Sequence, residues 1–155
     1  MAANRGDRSG KAGVNVDIPG LKGLAKAIRE SGPEARKAIR GRMKTAGRVV
    51  VAEIARRTPV GRKSWKGHRP GTLQKATSAR PGVTSVRIVN TALARSKKFP
   101  KGYRYGKRIE FDPAIGGTRY TGRYFYPGFA AKKGEAIAEI AKVLDDVGRA
   151  FAQGG

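Results

Sequence analysis

The distribution of charge constrains this chain more than any other feature of its sequence. Residues 35–108 contain 22 Lys or Arg and a single acid, Glu53, whereas the other ten acids precede or follow that block. A compact domain with so many like charges on its surface repels itself, and such a surface is usually neutralised by nucleic acid, acidic protein or anionic lipid. The formal net charge of +23 favours nucleic acid as a partner.

Size and composition indicate one domain. Of the 155 residues, we assign 1–17 to an extended N-terminal arm, 18–152 to a single domain and 153–155 to a short tail. Cysteine is absent, which excludes disulfides and thiolate metal sites. No apolar run approaches the ~20 residues of a membrane helix. The N-terminus also lacks the apolar stretch of a signal peptide, so we expect a protein made in a cytoplasm.

Hydrophobic spacing predicts three helices. A short helix spans residues 21–31, and a long one runs from Pro33 to the residue before Thr58-Pro59. The long helix carries the apolar stripe Ala35, Ile39, Met43, Ala46, Val50 and Ile54, with Arg36, Lys37, Arg40, Lys44 and Arg48 on its other faces. Its Gly41 and Gly47 each cost about 1 kcal/mol relative to Ala, and mark either close approach of another backbone or chance.

The third helix closes the chain. It spans residues 129–151, with the stripe Ile137, Ile140, Ala141, Leu144, Val147 and Phe151.

Alternating residues between the long helices predict strands. We assign strands to residues 83–90 and 103–111 and an extended segment to 119–126, with long basic loops at 58–81 and 91–102. Strands grouped between helices indicate an α+β fold with a small antiparallel sheet, two N-terminal helices and a long C-terminal helix.

The titratable residues do not favour catalysis. The single histidine, His68, lies in a basic loop where no second His or Cys can join it in a metal site. On a strand, Glu110 and Asp112 would share a face and could form a nuclease-like metal pair, although salt bridges to nearby Arg and Lys explain them better. We therefore predict no enzyme activity, no bound metal and no cofactor.

Aromatic residues alternate with arginines between residues 103 and 126. This pattern is typical of single-strand binders, in which bases stack on aromatic rings. Packing of the aromatics against the two long helices is the interpretation we favour, since the core otherwise has few large apolar groups. Trp65 lies in a basic loop, and the sequence leaves open whether it is buried there or anchors an interface.

Four short segments occur in an order that resembles a known family. Residues 55–61 read Ala-Arg-Arg-Thr-Pro-Val-Gly, and 71–76 read Gly-Thr-Leu-Gln-Lys-Ala. Residues 105–112 read Tyr-Gly-Lys-Arg-Ile-Glu-Phe-Asp, and 126–131 read Tyr-Pro-Gly-Phe-Ala-Ala. Together they resemble the siphophage neck and tail-completion proteins, also described as head–tail joining or minor tail proteins. The residues that carry the resemblance are Pro59, Val60, Gly61, Gly71, Leu73, Tyr105, Glu110, Pro127 and Phe129.

The chain departs from the family pattern in three ways. The glycine expected after Glu110 is replaced by Asp112, with Gly116 and Gly117 following later. The loop between Gly61 and Gly71 is longer than usual, and the positive charge is higher.

The resemblance implies a structural role in the virion. Family members form a ring, here expected to be a hexameric homo-oligomer, between the head connector or stopper and the tail terminator or tube. Packaged double-stranded DNA would pass through the lumen without sequence preference, and the particle would be assembled in the host cytoplasm with no membrane partner. A tail-terminator ring subunit is an alternative, as is a free basic nucleic-acid-binding protein of ribosomal or nucleoid type.

We expect the two basic loops to face partners or DNA. Because very tight binding of the packaged DNA would hinder its ejection, much of the positive charge should face acidic neighbouring proteins. The residues assigned to this role are Arg62, Lys63, Trp65, Lys66, Arg69, Arg95, Lys97, Lys98 and Lys101.

Overall fold

The computed structural model describes residues 13–15, 22–61, 69–82, 85–95, 97, 100–117 and 120–153. Its helices are α1 (Lys22–Glu30), α2 (Pro33–Arg57), α3 (Thr72–Lys75), α4 (Gly106–Phe111) and α5 (Phe125–Gln153), with a 3-10 turn at Pro113–Ile115. Its strands are β1 (Gly13–Asn15), β2 (Thr77–Pro81), β3 (Val86–Asn90), β4 (Leu93–Ala94) and β5 (Tyr103–Arg104). The fold is α+β, as the sequence predicts.

Helix α2 is the centre of the fold. Pro33 stands at its start, where a missing N–H costs nothing. At its end, the backbone N–H and the hydroxyl of Thr58 both donate to the carbonyl of Ile54, at 2.9 and 2.7 Å. The predicted stripe is confirmed from Ile39 onward, whereas Ala35 is exposed. This stripe packs on the sheet and on α5.

An antiparallel sheet of three strands, in the order β1-β3-β2, covers α2. Gly47 of α2 lies against it, because a Cβ there would come within 2.7 Å of Val86 Cγ1 and 2.8 Å of the Ala79 Cβ. This close approach explains Gly47, although the neighbours are side chains rather than backbone. A Cβ on Gly41 would have no neighbour within 4 Å, so packing does not explain that glycine. Strands β4 and β5 form a separate antiparallel pair.

Helix α5 packs along α2 and completes the core. It buries a stripe of apolar residues consisting of Phe129, Ala136, Ile140, Val143, Leu144 and Val147. The two helices come into close contact at Gly128, where a Cβ would lie 2.9 Å from Ile54 Cα. An exposed ion pair between Arg42 and Asp146 joins them farther along.

Several sequence assignments differ from the structure. The segment 58–81, predicted as one loop, contains α3 and the strand β2, and the predicted loop 91–102 contains the strand β4. The predicted strand 103–111 is only two residues of strand, β5, followed by the helix α4. The extended segment ends early, because α5 begins at Phe125 rather than at residue 129. The predicted strand 83–90 is confirmed for Val86–Asn90, and Gly13–Asn15, assigned to the arm, pair with β3 as its edge strand.

Candidate functional site

Residues from three of the family-like segments line one surface groove. Residues 59–61 and 71–73 form part of its wall, with Tyr105, Ile109 and Arg123, around a volume of about 250 Å³. Tyr105, from the third segment, follows residues 71–73 by more than 30 residues. The groove therefore brings together Pro59, Val60, Gly61, Gly71, Leu73 and Tyr105, which the resemblance singled out.

A left-handed glycine and a side-chain hydrogen bond position the two loop segments. Gly71 has a φ of +77°, a left-handed conformation that favours glycine, and it leads directly into α3. From α3, the Gln74 side-chain amide donates to the Ala55 carbonyl at the end of α2, at 2.9 Å. Leu73 is buried beneath the groove, whereas Val60 stands at its rim with 54% of its surface exposed.

Next to Ile109, which lines the groove, the chain carries the buried carboxylate of Glu110. It is 2% exposed, and it accepts hydrogen bonds from the backbone N–H groups of Tyr124 (3.0 Å), Phe125 (2.9 Å) and Tyr126 (2.9 Å). These N–H groups open α5 and have no partner within the helix. The next residue, Pro127, has no N–H. Glu110 therefore satisfies the free donors of the first turn, with its negative charge at the positive end of the helix.

Glycine at position 122 is required by this carboxylate. Gly122 has a φ of +75°, and a Cβ on it would lie 2.1 Å from Glu110 Oε1. Tyr124 is also buried here, and its hydroxyl donates to the Gly106 carbonyl at 3.3 Å. Burial, followed by the charge of Glu110 and the nearby Tyr105, raises the pKa of Tyr124 well above its usual value.

Glu110 and Asp112 do not share a strand face as the sequence predicted. Glu110 lies in α4, whereas Asp112 follows the helix and accepts hydrogen bonds from Arg108 Nε and the Ala114 N–H, both at 3.0 Å. The Arg108 bond, followed by the Ala114 bond, lowers the pKa of Asp112. The salt-bridge interpretation is thus confirmed for Asp112, while Glu110 is held by backbone amides. Within the described ranges, no group of three or more His, Asp or Glu side chains could hold a metal ion.

Asn90 connects this region to the sheet, and sequence reasoning missed it. Its side-chain amide donates to the Leu73 carbonyl and to the Thr77 hydroxyl, both at 2.8 Å, and its oxygen accepts from the Ala92 N–H at 3.1 Å. A polar amide at the end of the apolar strand β3 was the available signal, since a buried Asn must find hydrogen-bond partners.

The aromatic residues belong mainly to the core. Tyr105, Tyr124 and Phe125 are buried, which confirms the packing interpretation, although they precede or begin helices rather than lie on strands. The rings of Phe111 and Tyr126 lie 5.5 Å apart. Tyr120 differs, with 88% of its surface exposed.

The structure describes only some of the predicted partner-facing cations. Arg69, Arg95, Lys97 and Lys101 are exposed. Arg69 precedes α3, whereas the other three lie between β4 and β5, so they come from separate loops. The remaining members of the set, Arg62, Lys63, Trp65, Lys66 and Lys98, lie outside the described residues.

Helix α2 carries a second cationic surface, which we call the α2 ridge. It consists of Arg36, Arg40, Lys44 and Arg48, with Lys37 beside them. All are exposed except Arg36, which is half-buried. The sequence analysis placed these residues off the core face but gave them no function.

Comparisons with protein-family models, with curated proteins and with solved structures find no match. In the described part of the chain, none of the helices has the length and apolar character needed to cross a membrane.

Proposed function

We propose that this chain is a structural subunit of the neck of a tailed phage. It would form a ring that joins the head connector to the tail tube, with double-stranded DNA passing through the lumen. The observation that carries this proposal is the start of α5. Glu110 accepts hydrogen bonds from the first three N–H groups there, and Pro127 has no N–H at the fourth position. These two residues come from two different family-like segments.

The groove supports the same proposal. Three family-like segments contribute to its wall, with the exposed Val60 at its rim, so their order along the chain corresponds to one local arrangement. Residues that build such an arrangement define a fold and its outer surface. This is what a ring subunit needs, because each copy must present the same surfaces to its neighbours.

Charge supports a role beside DNA. The net charge of +23 would make an isolated copy repel itself, and a ring around a duplex would place phosphates near part of that charge. Contacts of this kind carry no sequence preference, as a channel for a whole genome requires.

The proposal is tested by assembly and location. The purified full-length chain would be examined by sedimentation and negative-stain electron microscopy over a range of concentrations, and we expect closed rings with a central opening. A gold-labelled copy should lie at the head–tail junction of the particle. Label at the distal tail, or in no particle at all, would contradict the proposal.

The same experiments separate the free nucleic-acid-binding alternative. A protein that stays monomeric and binds duplex DNA tightly at physiological salt would favour that alternative. Weak, steeply salt-dependent binding together with ring formation would favour the neck subunit.

A further inference from the structure

We propose that the α2 ridge, rather than the basic loops, is the surface that contacts the phosphates of duplex DNA. This inference rests on the proposed function for the presence of DNA in a lumen. It assigns the contact to Arg36, Lys37, Arg40, Lys44 and Arg48.

The spacing of the ridge suits a single DNA strand. Arg36, Arg40, Lys44 and Arg48 recur every four residues, so they follow one side of a continuous helix. From the first to the last they span about 18 Å at the rise of an α-helix. One strand of duplex DNA carries about five phosphates over such a length. The ridge is therefore long enough to face several successive phosphates of one strand.

The ridge has no acidic partner within the described residues. The ion pairs of α2 lie elsewhere on the helix, since Arg42 pairs with Asp146, and Arg56 and Arg57 pair with Glu53. Hydrogen bonds from Arg56 and then Arg57 lower the pKa of Glu53 to about 2. Like charges four residues apart destabilise a helix, so the ridge has a cost that an external polyanion would relieve.

Three of the ridge cations lie side by side at the start of α2. Arg36, Lys37 and Arg40, together with Pro33, line an open surface depression of about 370 Å³. The apolar stripe of α2 packs on the sheet and on α5. The ridge is therefore carried by a rigid element, which spares a bound phosphate backbone the entropic cost of ordering a loop.

The surface chemistry favours DNA over an acidic protein. Protein interfaces have an apolar centre with few lysines. The exposed large apolar residues of the described chain are Val60, Leu93 and Tyr120, and none of them lies on α2. A row of cations without an apolar centre is instead the usual pattern for contacting a phosphate backbone.

Two variants of equal net charge test the inference. The ridge variant is R36Q/R40Q/K44Q/R48Q, and the matched loop variant is R69Q/R95Q/K97Q/K101Q. Binding of each full-length chain to a short random-sequence duplex would be measured by fluorescence anisotropy between about 50 and 200 mM salt. Each lost phosphate contact makes the slope of log K against log salt less negative by about 0.9. We expect the ridge variant to change the slope by about 3 to 4 and the loop variant by less than about 1.

Further variants and probes exclude simpler explanations. The charge-conserving variant R36K/R40K/R48K should bind the duplex like the parent chain, since phosphate contacts of this kind depend on charge. Circular dichroism and thermal unfolding would show that each variant is folded. The inference is overturned if both glutamine variants lose binding equally, or if the loop variant loses more. It is also overturned if the ridge variant loses binding to polyglutamate but keeps binding to the duplex.

Ring assembly is scored separately. If the parent chain forms rings but the ridge variant binds the duplex with an unchanged salt dependence, this inference is overturned and the proposed function still stands. Absence of rings in the parent chain would contradict the proposed function itself.

Discussion

At the scale of single residues, the structure centres on one carboxylate. Glu110 is almost fully buried, and backbone amides rather than a cation hold it in place. A buried carboxylate is costly unless hydrogen bonds and a favourable field compensate, and the start of α5 provides both. Glu110, which the sequence offered as half of a possible metal pair, instead connects α4 to the first turn of α5 through hydrogen bonds.

Replacing this carboxylate should destabilise the fold. We expect Glu110→Gln to lower the free energy of unfolding by about 2 kcal/mol or more, because hydrogen bonds to a charged acceptor are lost and an amide group meets N–H donors. Urea denaturation followed by circular dichroism would measure the change. Asp112→Asn is the matched control and should cost clearly less, since Asp112 makes its contacts near the surface. Equal losses in the two variants would contradict the capping role.

Tyr124 should make stability depend on alkaline pH. Because its pKa is raised in the folded state by burial and by Glu110, its contribution is complete below about pH 10 and is lost as the pH rises further. The free energy of unfolding should fall by up to about 1.4 kcal/mol per pH unit in that range. Tyr124→Phe should flatten this dependence, at a cost of about 1 kcal/mol at neutral pH for the hydrogen bond to Gly106. An unchanged alkaline slope in the variant would refute the assignment.

At the scale of elements, contacts at glycine set how closely α2 approaches its neighbours. The sheet touches α2 at Gly47, and α5 touches it opposite Gly128. Both contacts lie where a methyl group would not fit. The distances from α2 to the sheet and to α5 therefore depend on these two glycines as well as on the apolar stripe.

Two glycines of the same helix should respond in opposite ways. Gly47→Ala should lower the melting temperature and cost about 1–3 kcal/mol, because the new methyl group would overlap Ala79 and Val86. Gly41→Ala should stabilise the protein by about 0.5–1 kcal/mol, because it meets no neighbour and removes backbone entropy from the unfolded chain. Thermal unfolding of both variants checks the pair, and a gain in stability for Gly47→Ala would show that the sheet packs differently.

A helix or strand can be predicted from the sequence when its own residues form a recognisable pattern, and is missed when it depends on distant partners. Helix α2 has a stripe with helical spacing, which a sequence displays directly. Strand β2 reads Thr-Ser-Ala-Arg-Pro and buries only Thr77 and Ala79, so its pairing with the distant β3 gives no local pattern. Residues 103–111 fit both spacings, since Tyr105 and Ile109 are four apart, so the sequence alone could not separate the two-residue strand β5 from the helix α4.

The sequence identified several residues of the candidate site but did not predict what each of them does. The order of the short segments pointed to Pro59, Gly71, Tyr105 and Glu110, and the structure places the first three around one groove. The role of Glu110 depends on amides 14 to 16 residues away, for which the sequence contains no spacing rule. Asn90 escaped notice for the same reason, because its partners lie on α3 and β2.

At the scale of the whole molecule, electrostatic repulsion opposes folding of the isolated chain. The acids of α5 are largely engaged with nearby cations, as in the pairs Lys132–Glu135, Lys142–Glu139 and Arg149–Asp146. Among the residues that the structure describes, no acid pairs with the ridge or with the loop cations. Screening by salt should therefore matter more for this protein than for one of balanced charge.

Added salt should stabilise the isolated protein. Raising the ionic strength shortens the screening length from its value of about 10 Å at 0.1 M, so repulsion among ridge cations weakens. A gain of about 1 kcal/mol would raise the melting temperature by about 2–4 °C. Calorimetry of the full-length chain at increasing sodium chloride would measure it, with the ridge variant showing a smaller response. A melting temperature that falls with salt would mean that attractive pairs dominate.

The position of β1 has a practical consequence. Gly13–Asn15 form the outer strand of the main sheet, although more than 70 residues separate them from their partner β3. A shortened protein that starts at α1 would leave the backbone of β3 uncovered along that side. Open strand edges recruit strands from other chains, so such a version should tend to aggregate even with the helices intact. Purification tags and truncations at this end should therefore spare the segment that shields β3.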